Sequence, residues 1–338
     1  MKRILLIQRR ALGDALFTAL MAEVIKKELT KRGLEVEVHL LTLPFSVDFF
    51  KTYKYLDNVF PYRGVLKTLQ MLRKHSYDAI LDYEATFRTY PVVALSKAPI
   101  RLAFLRKRKD LWLKRIGVYT SMVPFVSRGF TYWDRLELLK PLGVDINPYL
   151  KTKPVWETAT SPDLPEHLAK NLKRNEYVIF CPKGKLQGKT IAPEKAAQLA
   201  TGLVKRLNKP VVVAIEPGER KYISAFEEEL SKYRTGEVTV VSLPLREFSS
   251  LIFNSSGVVT VESFPYHLAM LMGKPSLVIV QAYDLWYRET FGLVKVYKVP
   301  LECSPCFDKR KCFRGDFACS REINTDEVLD LAVNFLNG

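Results

Sequence analysis

Asp14 follows Gly13 in the turn between the apolar run Ile4-Leu5-Leu6-Ile7 and a segment of helical periodicity. A carboxylate placed there either caps a helix by accepting its backbone N–H groups or, at the mouth of a cleft, takes a proton from a hydroxyl. The stretch Lys183-Gly184-Lys185-Leu186-Gln187-Gly188-Lys189-Thr190 has the make-up of a loop that grips phosphate through lysine and backbone N–H groups. Three residues separate its glycines, one fewer than the Walker spacing, which argues against an ATPase or GTPase. Glu216-Pro217-Gly218-Glu219-Arg220 marks another turn into a helix, where a carboxylate either favours the helix start or bonds ribose hydroxyls. Glu262-Ser263-Phe264-Pro265-Tyr266-His267 opens a helix whose hydroxyl, amides and imidazole can together hold a diphosphate.

Two further groups invite chemistry. Cys303, Cys306, Cys312 and Cys319 lie within 17 residues as C-x2-C-x5-C-x6-C. Zinc or another metal, disulfides and free thiols are all compatible with that density, whereas Cys181 sits in an apolar run and reads as core. From Arg101 to Arg115 basic residues, Arg106 and Lys107 among them, interleave with Phe104, Leu105, Trp112 and Leu113. That mixture suits an anionic membrane surface or a phosphorylated lipid as well as a solvated basic loop. No nucleic-acid-binding motif accompanies it, and no G-x-G-x-x-G supports a nicotinamide dinucleotide.

The elements that must position these residues can be read from the hydrophobic period. Short apolar runs at Arg3–Ile7, Val36–Leu41 and 77–81 read as strands, with helices over Asp14–Leu29 and Gly64–Lys74 between them. The alternation restarts with strands at 177–181, 210–215, 238–241, 257–261 and 275–280. Helices over 193–207, 219–232, 245–254, 266–272 and 326–336 separate or follow them. Strands alternating with helices imply parallel sheets with right-handed crossovers, so the expected fold is α/β with two doubly wound domains. A stretch rich in proline over 147–165 resists a long helix and is taken as the linker between domains at 1–155 and 165–338.

The 338 residues carry a net charge of +16, of which +13 falls within residues 1–160. The first domain should therefore face something anionic, unless the excess is only a solvated surface. No apolar run reaches the roughly 18–20 residues of a membrane span, and the run at the amino terminus is too short for a signal peptide. A cytoplasmic protein is the expectation.

In this order and spacing the segments resemble the bacterial heptosyltransferases, glycosyltransferase family 9. The likeness runs through Gly13-Asp14-Ala15-Leu16-Phe17-Thr18, Tyr77-Asp78-Ala79-Ile80-Leu81-Asp82 and Arg101-Leu102-Ala103-Phe104. It continues in Lys189 to Pro193, Pro217-Gly218-Glu219, His267-Leu268-Ala269 and Gly273-Lys274-Pro275, and includes the late cysteine stretch. The resemblance implies the GT-B architecture of two Rossmann-like domains facing a cleft. It also implies inverting, metal-independent transfer of heptose or a related sugar from an ADP-sugar donor to an inner-core lipopolysaccharide acceptor.

By the same resemblance Asp14 is the general base, while Lys189, Thr190, Glu219, Glu262, Ser263 and His267 hold the donor. Gly13, Arg101, Arg106 and Lys107 would meet an anionic lipid A–Kdo acceptor at the cytoplasmic face of the inner membrane. A structural metal at the four cysteines is the only cofactor considered, and nucleic acid is not an expected partner. One departure stands out: Glu262-Ser263-Phe264 replaces the family's Asp-Thr-Gly, so a bulky side chain sits where glycine lets backbone approach phosphate. The alternative is a degenerate member that binds nucleotide or glycan without transfer.

Overall fold

A parallel strand covered on both faces needs an unbroken apolar run, and Ile4 to Ile7, none more than 2% exposed, supply one. They form the inner part of β1 (Lys2–Ile7) in the computed structural model, which describes residues 2–107, 110–160, 162–233, 237–284, 290–307 and 311–337. After β1 come α1 (Leu12–Ala19), α2 (Met21–Thr30), β2 (Val36–Thr42), α3 (Val47–Phe50) and β3 (Asn58–Pro61). Next are α4 (Val65–Leu72), β4 (Ala79–Asp82), α5 (Tyr90–Leu95) and β5 (Ile100–Leu105), then α6 (Leu111–Arg115), β6 (Ser121–Pro124) and α7 (Thr131–Leu136). These elements make a first unit that ends at Thr160.

The second unit opens with α8 (Glu166–Ala169), β7 (Val178–Cys181), α9 (Pro193–Leu207), β8 (Val211–Ala214) and α10 (Arg220–Ser231). It continues through β9 (Val238–Val241), α11 (Leu245–Asn254), β10 (Gly257–Val261) and α12 (Phe264–Leu271). It closes with β11 (Ser276–Val280), β12 (Val294–Lys298) and α13 (Thr325–Leu336). Local signals set these bounds. In α9, Pro193 occupies the first turn after extended Ala192, and Asn208 ends the helix in the left-handed conformation.

Every strand pair is parallel. The strand orders are β3-β2-β1-β4-β5-β6 and β12-β11-β10-β7-β8-β9. With β7 to β12 in the places of β1 to β6, this is one doubly wound topology used twice. Each sheet reverses its winding once, between β1 and β4 and between β7 and β10. The loops that leave those strands diverge and open a crevice beyond their carboxyl ends. Leu5, Ile7, Ile80, Val92, Ala103 and Tyr119 lie in the first core; Phe180, Val213, Phe226, Val259, Ile279 and Leu329 lie in the second.

Several expectations need correcting. The helix read over 14–29 is two, α1 and α2, and at their junction the Leu20 N–H reaches the Leu16 carbonyl over a long 3.4 Å. Strands β3, β6 and β12 escaped the pattern because they are four or five residues long, sit at sheet edges and are only partly buried. The basic stretch 101–115 holds β5, whose Leu102, Ala103 and Phe104 are core, followed by the short α6. Residues 108 and 109 lie outside the described residues. The linker is also shorter than 147–165. Trp156, 4% exposed, stacks on Phe49 and Tyr53 at 4.9 and 4.4 Å, so the chain still packs on the first unit there. Proline forbids the helix but not the packing.

Phe226 on α10 is fully buried in the second core. Phe226→Ala is expected to cost about 3–5 kcal/mol in urea unfolding. A loss below about 1 kcal/mol would mean that this helix does not seal the core.

Candidate active site

In the first unit the site begins where β1 ends. Gln8 to Ala11 leave the sheet, and the tight turn falls on Ala11 at φ 53°, not on Gly13, which lies inside the first turn of α1. A non-glycine residue in that conformation stores strain of about 1–3 kcal/mol. Asp14 does not cap α1. Its Oδ1 accepts a hydrogen bond from Arg135 Nη2 at 2.9 Å, and its side chain is 47% exposed against 7% for Arg135. Across the strand reversal, buried Arg9 and Glu84 pair at 2.8 Å, and the Arg9 backbone N–H donates to the same carboxylate at 3.1 Å. Asp82 at the end of β4 steadies that loop by accepting from the Glu84 and Ala85 N–H groups and the Tyr119 hydroxyl. Burial pushes its carboxyl above the usual range.

The residues expected to meet an acceptor separate. Arg106 and Lys107 follow the carboxyl end of β5, with the Arg106 guanidinium 5.3 Å from the Phe125 ring. Arg101 stands at the opposite, amino end of that strand. Its guanidinium donates to the carbonyls of Ala98, Gly117 and Val118. It is a staple of the loop before β6, remote from Asp14, because a six-residue strand spans roughly 20 Å.

In the second unit the Gly/Lys stretch folds into a closed hairpin after β7. Gly184 N–H donates to the Lys189 carbonyl at 2.8 Å, and Lys183 and Thr190 pair as an isolated bridge. A Cβ on Gly184 would lie 2.5 Å from the Lys189 carbonyl oxygen, so glycine is required by close approach. The Thr190 hydroxyl donates inward to the carbonyls of Gly184 and Leu186, and so serves the loop.

The hairpin aims its lysines at two carboxylates. Lys189 pairs with buried Glu262 at the end of β10, and its ammonium lies 4.9 Å from the Tyr283 ring centroid. Lys183 pairs with Glu219 at 3.2 Å, where Gly218 at φ 99° turns the chain into α10. Ser263 precedes α12 and donates to the Val261 carbonyl at 3.2 Å. His267, one turn into that helix, is buried, and burial together with the Lys189 charge lowers its pKa to about 3. It is neutral at ordinary pH, so it can offer a ligand a hydrogen bond but no charge.

The hairpin is braced from behind. Gln281 Nε2 donates to the carbonyls of Thr190 and Cys319, Ala282 N–H to Gly188, and Phe307 N–H to Ala282. Cys303, Cys306, Cys312 and Cys319 form no disulfide among the described residues and line one cavity of about 20 Å³ with Gln281 and Ala282. Among the described residues no three His, Cys, Asp or Glu side chains form a group able to hold a metal. Sequence reasoning passed over Lys183, Gln281, Tyr283, Arg9, Glu84 and Arg135. Lys183 had a signal, being in the loop; Arg135 had none, since 121 residues separate it from Asp14.

The thiols differ in reactivity. Burial raises the Cys312 thiol, but N–H groups of Phe317, Arg314, Gly315 and Asp316 on its sulfur outweigh that and leave its pKa lowered. Cys319 is pushed up to about 11 by burial and the other three sulfurs, and burial raises Cys181 further still. At pH 7.5 iodoacetamide should label Cys312 first, Cys319 slowly and Cys181 only after unfolding, because the thiolate is the nucleophile. Mass spectrometry of the native protein finding Cys319 labelled as fast as Cys312 would contradict this order.

The model of the family described as glycosyltransferase family 9 (heptosyltransferase) matches residues 65–314. No curated protein sequence matches the chain. Three solved structures are similar to it in fold. Escherichia coli heptosyltransferase WaaC with ADP is 15% identical, with a TM-score of 0.71, over 98% of this chain and 97% of its own. Escherichia coli ADP-heptose LPS heptosyltransferase II is 15% identical, with a TM-score of 0.74, over 100% and 99%. The family 9 glycosyl transferase of Veillonella parvula is 14% identical, with a TM-score of 0.75, over 99% and 97%. Two parallel six-stranded sheets of the GT-B kind and a family match over most of the chain place this protein in glycosyltransferase family 9, as a glycosyltransferase.

Proposed function

We propose that the protein moves a heptose or a related sugar from an ADP-sugar to an inner-core lipopolysaccharide acceptor, with inversion and with Asp14 as the general base. The observation that carries this reading is the half-exposed Asp14 carboxylate, held through one oxygen in the first turn after β1. Its other oxygen takes the proton of the acceptor hydroxyl as that hydroxyl's oxygen attacks the anomeric carbon. The bond from that carbon to the diphosphate oxygen breaks on the opposite face, and ADP leaves with the electron pair.

Charge on the leaving diphosphate is met by the second unit. Lys189 and Lys183 supply ammonium groups, and the first turn of α12 supplies amides. Pro265 lacks an N–H, so that turn has one amide donor fewer, and the Ser263 hydroxyl would have to leave the Val261 carbonyl to reach the diphosphate. Glu262 holds Lys189 in place, and Glu219 either holds Lys183 or exchanges it for the ribose. ADP in the similar structure of WaaC supports the choice of nucleotide.

Support for an anionic lipid acceptor comes from the first unit. Phe87, Trp112, Ile116 and Val126 are 74, 50, 63 and 49% exposed. Arg88 adjoins Phe87, Lys114 and Arg115 lie between Trp112 and Ile116, and Arg128 follows Val126 closely, all within the half that carries most of the net charge. Apolar tips among cations suit contact with an anionic bilayer surface. No helix among the described residues is long and apolar enough to cross a membrane.

Calorimetric titration with ADP, UDP and GDP should show binding of ADP alone. Heat only from UDP or GDP would change the donor, and silence from all three would favour a degenerate site. Asp14→Asn should leave ADP affinity within about twofold and lower transfer by about 10²–10⁴-fold; retained turnover would remove Asp14 as the base. Lys189→Met should instead weaken ADP binding by about 10–100-fold, the loss of one charge-assisted contact. Unchanged affinity would place the diphosphate elsewhere.

A further inference from the structure

We infer that Arg135 is the positioning residue for Asp14, setting which carboxylate oxygen faces the acceptor. The inference rests on Asp14 being the base. Arg135 lies on α7, and its side chain is 7% exposed. Nη2 donates to Asp14 Oδ1 and Nε to Thr18 Oγ1, both at 2.9 Å. Asp14 and Thr18 are four residues apart, so one planar guanidinium ties two successive turns on one face of α1.

The guanidinium is itself held. It lies 5.8 Å from the Tyr83 ring centroid, and the Tyr83 hydroxyl donates to the Arg135 backbone carbonyl at 3.4 Å. Tyr83 and Thr18 are 2% and 0% exposed, so the anchor is part of the core. Among the described residues Asp14 Oδ2 has no hydrogen-bond partner, which leaves it as the oxygen that receives the proton. A carboxylate on an exposed helix turn would otherwise sample several rotamers, and Arg135 removes that freedom before substrate arrives.

Lysine cannot replace this function in full, because a single ammonium lacks the fork that reaches both oxygens. The role is one of orientation, so it should appear in kcat and leave KM for donor and acceptor unchanged.

The test uses the full chain, ADP-heptose and Kdo–lipid A, with ADP release as the readout, on Arg135→Met, Arg135→Lys, Asp14→Asn and Asp14→Asn/Arg135→Met. Arg135→Met should lower kcat about 10²-fold with KM values within twofold, as misplacement of a reacting group does. Arg135→Lys should fall between, and methylguanidinium should restore part of the Arg135→Met rate. On Asp14→Asn, the second substitution should add nothing further. A folded Arg135→Met with full kcat, or a further equal loss on the Asp14→Asn background, would overturn the proposal. Full turnover by Asp14→Asn would instead overturn the assignment of the base.

A second measurement needs no substrate. Hydrogen exchange across Leu12–Ala19 should accelerate in Arg135→Lys, with the urea midpoint reporting whether the fold is kept. Unchanged exchange would mean that Arg135 holds nothing on α1, and would overturn the proposal whatever the activity. Should Arg135→Met fail to fold, Thr18→Val replaces it: a severalfold loss of kcat supports the anchor, and an unchanged kcat refutes it.

Discussion

Each unit closes its strand reversal with one buried ion pair: Arg9 with Glu84 between the ends of β1 and β4, and Lys189 with Glu262 between β7 and β10. Diverging loops at a strand reversal expose the ends of the sheet, and opposite charges drawn out of water bind those ends together. Such pairs add little net stability, since desolvation consumes most of their attraction, but losing one partner leaves a buried charge costing about 3–5 kcal/mol. The arrangement therefore keeps one charged pair at the carboxyl end of each sheet.

The two pairs serve different chemistry. Arg9 and Glu84 are 6% and 4% exposed and bind each other and the backbone, so they frame a crevice without offering charge to it. Lys189 is more open at 15%, and its partner Glu262 is one of the two carboxylates that hold lysines of the same hairpin. Under the proposed function a donor diphosphate would compete for these lysines, and the carboxylates would keep them oriented until it arrives. Burial chiefly, and then the proximity of Lys189, account for the neutral state of His267, since a second cation in that buried place would be repelled. The cysteine segment belongs to this machinery mechanically, as Gln281 joins the carbonyl of Cys319 to that of Thr190 in the hairpin.

Most parallel strands buried on both faces were readable, because burial writes a continuous apolar run into the chain; β5 was missed because basic residues flank its short core of Leu102, Ala103 and Phe104. Bounds such as 193–207, 238–241, 245–254 and 257–261 are observed as the pattern has them. Three of the four edge strands, β3, β6 and β12, were not readable, since half of each faces water and their composition drifts toward that of loops, whereas the fourth, β9, kept an unbroken Val-Thr-Val-Val run. At the site, Asp14, Lys189, Glu219 and Glu262 could be picked out as turn residues at the ends of strands. The pattern could not tell that Arg101 belongs to the other end of its strand, nor that Thr190 turns its hydroxyl inward.

What the sequence by itself determined is the alternation of most strands and helices and the turns that leave the central strands, which follow from contacts within about ten residues. Only the tertiary structure decided which charged and polar groups pair with one another. Arg135 reaches Asp14 across 121 residues, and Gln281 reaches Thr190 across 91. Hydrophobic period reports how a segment faces the core, but an ion pair depends on where two segments end in space. Nothing local in either segment records the identity of the other.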